Sequence, residues 1–144
     1  MAAVDDFDVV VEQYQLALSE FLKGHPAPVK ALWSHRDDVS VANPYGPPAR
    51  GWAQVAQIVE QAASTVRDGK LVGVEIVAKE VTPELAYVVG IERFEAKVGG
   101  REKLLPFVLR ATMILRPEGG DWKVVHRHAD PITTARPAES VLQK

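Results

Sequence analysis

The stretch KLLPFVLRATMILRPEGGDWKVVHRHADPI, Lys103 to Ile132, decides the fold. Its first arm alternates, with Phe107, Leu109, Ala111, Met113 and Leu115 on one side and Val108, Arg110, Thr112, Ile114 and Arg116 on the other. One side is wholly apolar and the other mixed, the pattern of a strand with a buried face. Pro117-Glu118-Gly119-Gly120-Asp121 is a compact turn-forming cluster that folds the second arm back antiparallel. The same alternation assigns Trp122, Val124, His126, His128 and Asp130 to one face, directed at the helices or at a partner subunit. It leaves Lys123, Val125 and Arg127 largely toward solvent.

Toward the N-terminus two more strands are predicted, Leu71 to Val81 and Leu85 to Lys97, bounded by Thr82-Pro83-Glu84 and Val98-Gly99-Gly100. With the arms Lys103 to Arg116 and Trp122 to Ile132 they form an antiparallel meander. Before them the period is helical. Phe7, Val10, Val11, Tyr14, Leu18, Phe21 and Leu22 make an apolar stripe opened by Asp5 or Asp6 and ended by Gly24, Pro26 and Pro28. A short helix over Val29 to Ser34 and a short strand at Val39 and Val41 lead into the Pro-rich loop that closes at Gly51. Trp52, Val55, Ala56, Val59, Ala63 and Val66 then mark a second long helix, ended by Asp68-Gly69. Helices followed by hairpins predict an α+β domain with helices on one face of the sheet.

Composition narrows the function. The 144 residues suit one domain, and 17 Lys and Arg against 19 Asp and Glu give a net charge of −2. Such a chain has no field to gather nucleic acid or an anionic membrane. With no cysteine there is no disulfide framework and no thiolate nucleophile. The acidic start MAAVDDFDVV is unlike a signal peptide, and no apolar run reaches membrane length, so a cytoplasmic protein is expected.

The element order, the segment VSVANPYGPPARGWAQV before a Gly-led helix and the ending GGDWKVVHRHAD together resemble the NTF2-like superfamily, and within it the SnoaL-like and ketosteroid-isomerase-like proteins. The resemblance runs from Phe7 to Ile132. It implies a single domain over residues 1–132 with a tail at 133–144, and a cystatin-like α+β cone whose helices are cupped by a curved, mainly antiparallel sheet. It further implies an apolar pocket for a small apolar molecule, and a homodimer formed through the sheet. The isomerases of this superfamily use a tyrosine on the first helix as oxyanion donor, a position that Tyr14 matches. Their aspartate base falls on Asn43, whose amide cannot take up a proton at neutral pH, and their second acidic donor falls near Val108 to Arg110, where no acid stands.

Other groups must then supply any acid-base chemistry. Asp130 beside His128 and His126 is the candidate set, because a carboxylate fixes the tautomer and raises the pKa of a neighbouring imidazole. Such histidines equally serve buried backbone groups or an interface. His-x-His plus Asp130 has the residue types of a metal site, but same-face positions diverge along a strand, so no metal and no cofactor are expected. Arg110 requires a carboxylate partner, either Asp130 or Glu92. Trp33, Tyr45 and Trp52 line the pocket mouth or fill the core. Trp33, Asn43, Tyr45, Arg110 and His126 make up the expected ligand-binding set, with Asp130, His128 and Tyr14 as the catalytic set. Two readings stay open. One is an acid-base enzyme of isomerase, cyclase or hydrolase type; the other is a non-catalytic ligand-binding or dimerising module.

Overall fold

The computed structural model describes residues 6–143. Asp6 occupies the cap position of α1 (Phe7–Phe21); Asp5, the other candidate, lies outside the described residues. Phe7, Val10, Tyr14, Ala17 and Leu18 form the buried stripe of α1, as three-and-four spacing requires. Helix α2 (Ala27–Leu32) follows, then β1 (Ser40–Ala42), β2 (Ala49–Arg50) and α3 (Trp52–Ala63). The long strands are β3 (Val66–Val81), β4 (Ala86–Val98), β5 (Leu105–Glu118) and β6 (Asp121–Asp130). A 3₁₀ turn at Ala138–Val141 lies in the exposed tail.

Six strands form one sheet in the order β2-β1-β6-β5-β4-β3. Every pair is antiparallel except β1 with β6, which run parallel with Val41 opposite Arg127. The sheet is curved and does not close into a barrel. Its concave face receives the helices, and Phe7, Tyr14, Leu18, Trp33, Val55, Phe94, Leu115, Trp122 and Val124 meet there in one core. Arg116 on β5 donates to both oxygens of Asp38 at 2.7 Å, tying the sheet to the loop before β1.

Two expectations from the sequence need correction. Helix α3 ends at Ala63, and Val66 belongs to β3. The Asp-Gly pair sits inside β3 at a register shift between Arg67 and Lys70, with Asp68 at φ 57°. A Cβ on Gly69 would lie 2.6 Å from both the Ala96 methyl and the Glu95 carbonyl oxygen, so glycine there permits strand contact rather than ending a helix.

The second correction concerns β6. Leu115 pairs with Val124 but Ile114 pairs with His126, so Val125 is one residue too many for its partner strand. This β-bulge shifts the alternation by one. Trp122 and Val124 face the core, and beyond the bulge Arg127 and Ala129 do, while His126, His128 and Asp130 turn to the outer face. Uninterrupted alternation had placed those three residues inward and Arg127 outward.

Candidate functional site

Between the helices and the concave face lies a cavity of about 90 Å³, lined mostly by aliphatic and aromatic side chains from α1, α2, α3 and five strands. Leu18, Phe21, Ile58, Phe94, Phe107 and Leu109 make most of its wall. It opens toward Asn43, Pro44 and Tyr45, which it shares in part with a wider surface groove along Pro47, Pro48 and Gln54. Asn43 Oδ1 accepts a hydrogen bond from the Tyr45 backbone N–H at 3.1 Å, holding the loop at the mouth. Tyr45 is largely exposed there.

Polar groups are few and specific. Tyr14, Trp33 and Arg127 reach the cavity wall. Arg127 is bound in a two-pronged pair to Glu92, with 2.8 and 2.5 Å contacts, and both side chains are nearly buried. The sheet register explains how a β6 residue reaches β4. Arg127 stands opposite Met113, and Glu92 opposite Leu109, with the row Gly90, Ala111, Ala129 between them. No side chain in that row exceeds a methyl, so the guanidinium can lie across β5. Its carbon also stands 5.7 Å from the Tyr14 ring centroid. Burial pushes the Tyr14 phenol above its ordinary pKa, with the Glu92 charge adding to the rise and Arg127 and Trp33 opposing it. Tyr14 is therefore a neutral O–H donor at physiological pH.

Trp33 is held at the C-terminal end of α2, where it bridges to Val124 in parallel and Ser34 N–H donates to the Val124 carbonyl at 2.9 Å. Its ring is 1% exposed, and Nε1 has no hydrogen-bond partner. That N–H lies near enough to the Tyr14 oxygen to oppose the rise in its pKa without meeting hydrogen-bond geometry.

The remaining expected site residues form a separate cluster on the outer face. Arg110 Nε donates to Asp130 Oδ1 at 2.6 Å, the Ile132 backbone N–H donates to the same oxygen at 2.9 Å, and His128 Nε2 lies 3.2 Å from Oδ2. Desolvation would raise the Asp130 carboxyl, but these hydrogen bonds and the charges of Arg110 and His128 prevail and hold it below the usual carboxylate range. His126 Nδ1 lies 2.7 Å from Ser40 Oγ. Desolvation, then the charge of His128, pushes the His126 imidazole down. Among the described residues no group of three or more His, Asp or Glu could hold a metal ion.

Of the sequence candidates, then, Tyr14, Trp33, Asn43 and Tyr45 line the cavity, while Asp130, His128, His126 and Arg110 do not. The residues missed were Arg127 and, as its partner, Glu92. One signal for them was available: Glu92 is the single charge in the inward series Ala86, Val88, Gly90, Glu92, Phe94, Ala96, and a buried carboxylate demands a buried cation.

A family profile described as the SnoaL-like domain matches residues 12–133, and the chain belongs to that family. Among solved structures, the NTF2-like superfamily protein from Salmonella enterica serovar Typhimurium superposes with a TM-score of 0.76 at 18% identity, covering 94% of this chain and 95% of that one. The ketosteroid isomerase-like protein from Erwinia carotovora atroseptica gives 0.73 at 19% identity, covering 91% and 97%. A protein of cystatin-like fold from Caulobacter vibrioides gives 0.65 at 20%, covering 94% and 92%. At these identities the likeness is one of fold. None of the curated proteins matches the sequence significantly.

Proposed function

We propose that the chain binds a small apolar molecule in the concave cavity and works as a ligand-binding module rather than as an acid-base enzyme. The observation that carries this reading is the state of Glu92. It is the buried carboxylate nearest Tyr14, and both its oxygens are engaged by Arg127, so it is not free to take a proton from a ligand. Asn43 lines the cavity where a base would serve, and the outer Asp130–His128 pair is separated from the ligand space by the sheet. The volume limits the ligand. Drug-sized molecules occupy pockets of roughly 300–1,000 Å³, whereas a dry cavity of roughly 150 Å³ holds benzene. A single small ring, with any extension running into the mouth groove, fits about 90 Å³.

The second half of the proposal is a homodimer through the outer face, where Val89, Ile91, Val108 and Ile114 are half-buried and Tyr87 is exposed in the isolated chain. Absence of cysteine suits a reducing compartment such as the cytoplasm. Among the described residues, no helix is long and apolar enough to cross a membrane.

The binding test is a titration with methylenecyclopentane followed by NMR. Resonances of Leu109 and Ala129 shift in the wild type, and Ala62→Leu, which fills the cavity from α3 and leaves the Gly90–Ala111–Ala129 row intact, abolishes the shifts. Unaltered shifts in that variant would place the ligand elsewhere. Catalysis is checked with cyclopentanone in D₂O. Protein-dependent exchange of its α-protons above background would overturn the non-catalytic half of the reading.

A further inference from the structure

We propose that the cavity ligand carries an uncharged arm, bearing amide or hydroxyl groups, which lies in the mouth groove against α3. The inference rests on the cavity being the binding site and names what the ligand presents outside it. The groove measures about 620 Å³ and is continuous with the cavity, because Asn43, Tyr45, Ile58 and Ala62 line both. At about 90 Å³ the cavity alone takes one small ring, so the remainder of any larger ligand lies here.

Charged residues make up 25% of the chain, yet none of the described residues lining the groove is charged, although three separate segments build it. Neighbouring charges are committed elsewhere. Glu60 holds Lys30, and Arg67 donates to the Gly99 and Arg101 carbonyl oxygens at 2.8 and 2.9 Å. Arg50 follows Ala49 on β2 and so takes the opposite side of that strand. A carboxylate or an ammonium in the groove would give up part of its hydration without meeting an opposite charge.

What the groove offers instead is a pair of amides. Gln54 and Gln61 stand two helical turns apart, so their carboxamides leave one face of α3 roughly 10 Å from each other, with Ile58 between them. Among the described residues neither side chain has a hydrogen-bond partner, and each amide both donates and accepts. Tyr45, Pro47 and Pro48 add apolar surface on a loop whose prolines fix φ. The far end is set where the Gly99 N–H donates to the Thr65 carbonyl at 2.7 Å. A frame fixed before binding lowers the cost of ordering an arm. Amides at either side of an apolar middle match an elongated arm whose neutral groups give and accept hydrogen bonds.

The test uses ¹⁵N-labelled protein and one cyclopentylhexane skeleton ending in an amide, an alcohol, a carboxylate or an ammonium group, with methylenecyclopentane as the probe that fills the cavity alone. The amide and the alcohol are expected to bind roughly fivefold or more tightly than either charged probe, the scale of one net hydrogen bond. They are also expected to move the side-chain NH₂ resonances of Gln54 and Gln61, which methylenecyclopentane leaves in place. Whichever neutral probe binds more tightly tells an amide-bearing arm from a hydroxylated one, and either result upholds the inference. The double variant Gln54→Lys with Gln61→Lys, at exposed helix positions, should turn the preference toward the carboxylate. Unmoved glutamine resonances, with the four end groups bound equally, would overturn the inference and leave the cavity reading intact. Preference of the wild type for the carboxylate or the ammonium would overturn the neutral arm. Binding of none of the five probes would overturn the cavity reading and this inference together.

Discussion

Replacing Glu92 by Gln should destabilise the domain by about 3 kcal/mol or more. Glu92 and Arg127 are 7% and 12% exposed, and the pair is two-pronged. Taking charge from one partner of such a pair leaves the other buried without compensation, which costs roughly 3–5 kcal/mol. Gln keeps the shape and one acceptor oxygen, so the lower end of that range applies. At this chain length a loss of 1 kcal/mol lowers Tm by about 3 °C, and a drop of roughly 10 °C follows. Urea unfolding should show a lower midpoint at unchanged slope. The double variant Glu92→Leu with Arg127→Met removes both charges and should recover most of the loss, since apolar replacement of a buried pair is often neutral or better. A loss below about 1 kcal/mol for Glu92→Gln would mean that water reaches the pair. The bulge-dependent facing of Arg127 would then be wrong.

Three other outcomes follow from the same geometry. Asp130 has a folded-state pKa below its unfolded value of about 3.9, so its contribution is full above that pH and is lost as pH falls through the folded value. Asp130→Asn should therefore cost about 1 kcal/mol at pH 7 and progressively less as pH falls below about 3.9, read by urea unfolding, and should leave probe affinity within about twofold. His126 is also depressed, here from an ordinary value of 6.5, so the wild type loses stability as pH falls below 6.5 toward the folded pKa. His126→Gln should narrow the Tm difference between pH 7.5 and pH 5.5; an unchanged difference counts against desolvation of that ring. Gly69→Ala should cost roughly 1–3 kcal/mol in thermal unfolding, because its methyl would meet Ala96 and Glu95 at 2.6 Å.

Most of the fold was legible because it is written in local periodicities. Three-and-four spacing from Phe7 to Leu22 and period two from Phe107 to Leu115 each fix one buried face without help from distant residues. The site was legible only on the helical side and at the loop before α3, where Tyr14, Trp33, Asn43 and Tyr45 were found. The β6 side was not, because Val125 is an ordinary strand residue and no glycine or proline marks the bulge. Its facing is decided by a residue 35 positions away, Glu92, whose need for a cation draws Arg127 inward. Asp68-Gly69 failed for a related reason: a turn-forming pair also serves a bulge, and only contact with Ala96 tells the two apart.

The extra residue at Val125 acts as an odd-even switch on chemistry. Read in one parity, HRHAD presents a guanidinium and a methyl to the cavity; read in the other, it presents two imidazoles and a carboxylate. Sliding the bulge to the end of β6 would exchange the two sets without changing one amino acid. What forbids it here is Glu92, which would lose its counter-charge. A chain of this fold with an apolar residue at that position would be free of the constraint, so the residue on β4 predicts which face of an HxHxD strand lines the cavity. In engineering terms, placing a proton-transfer set on the concave face would take relocating one backbone irregularity and releasing one carboxylate, not rebuilding the cavity.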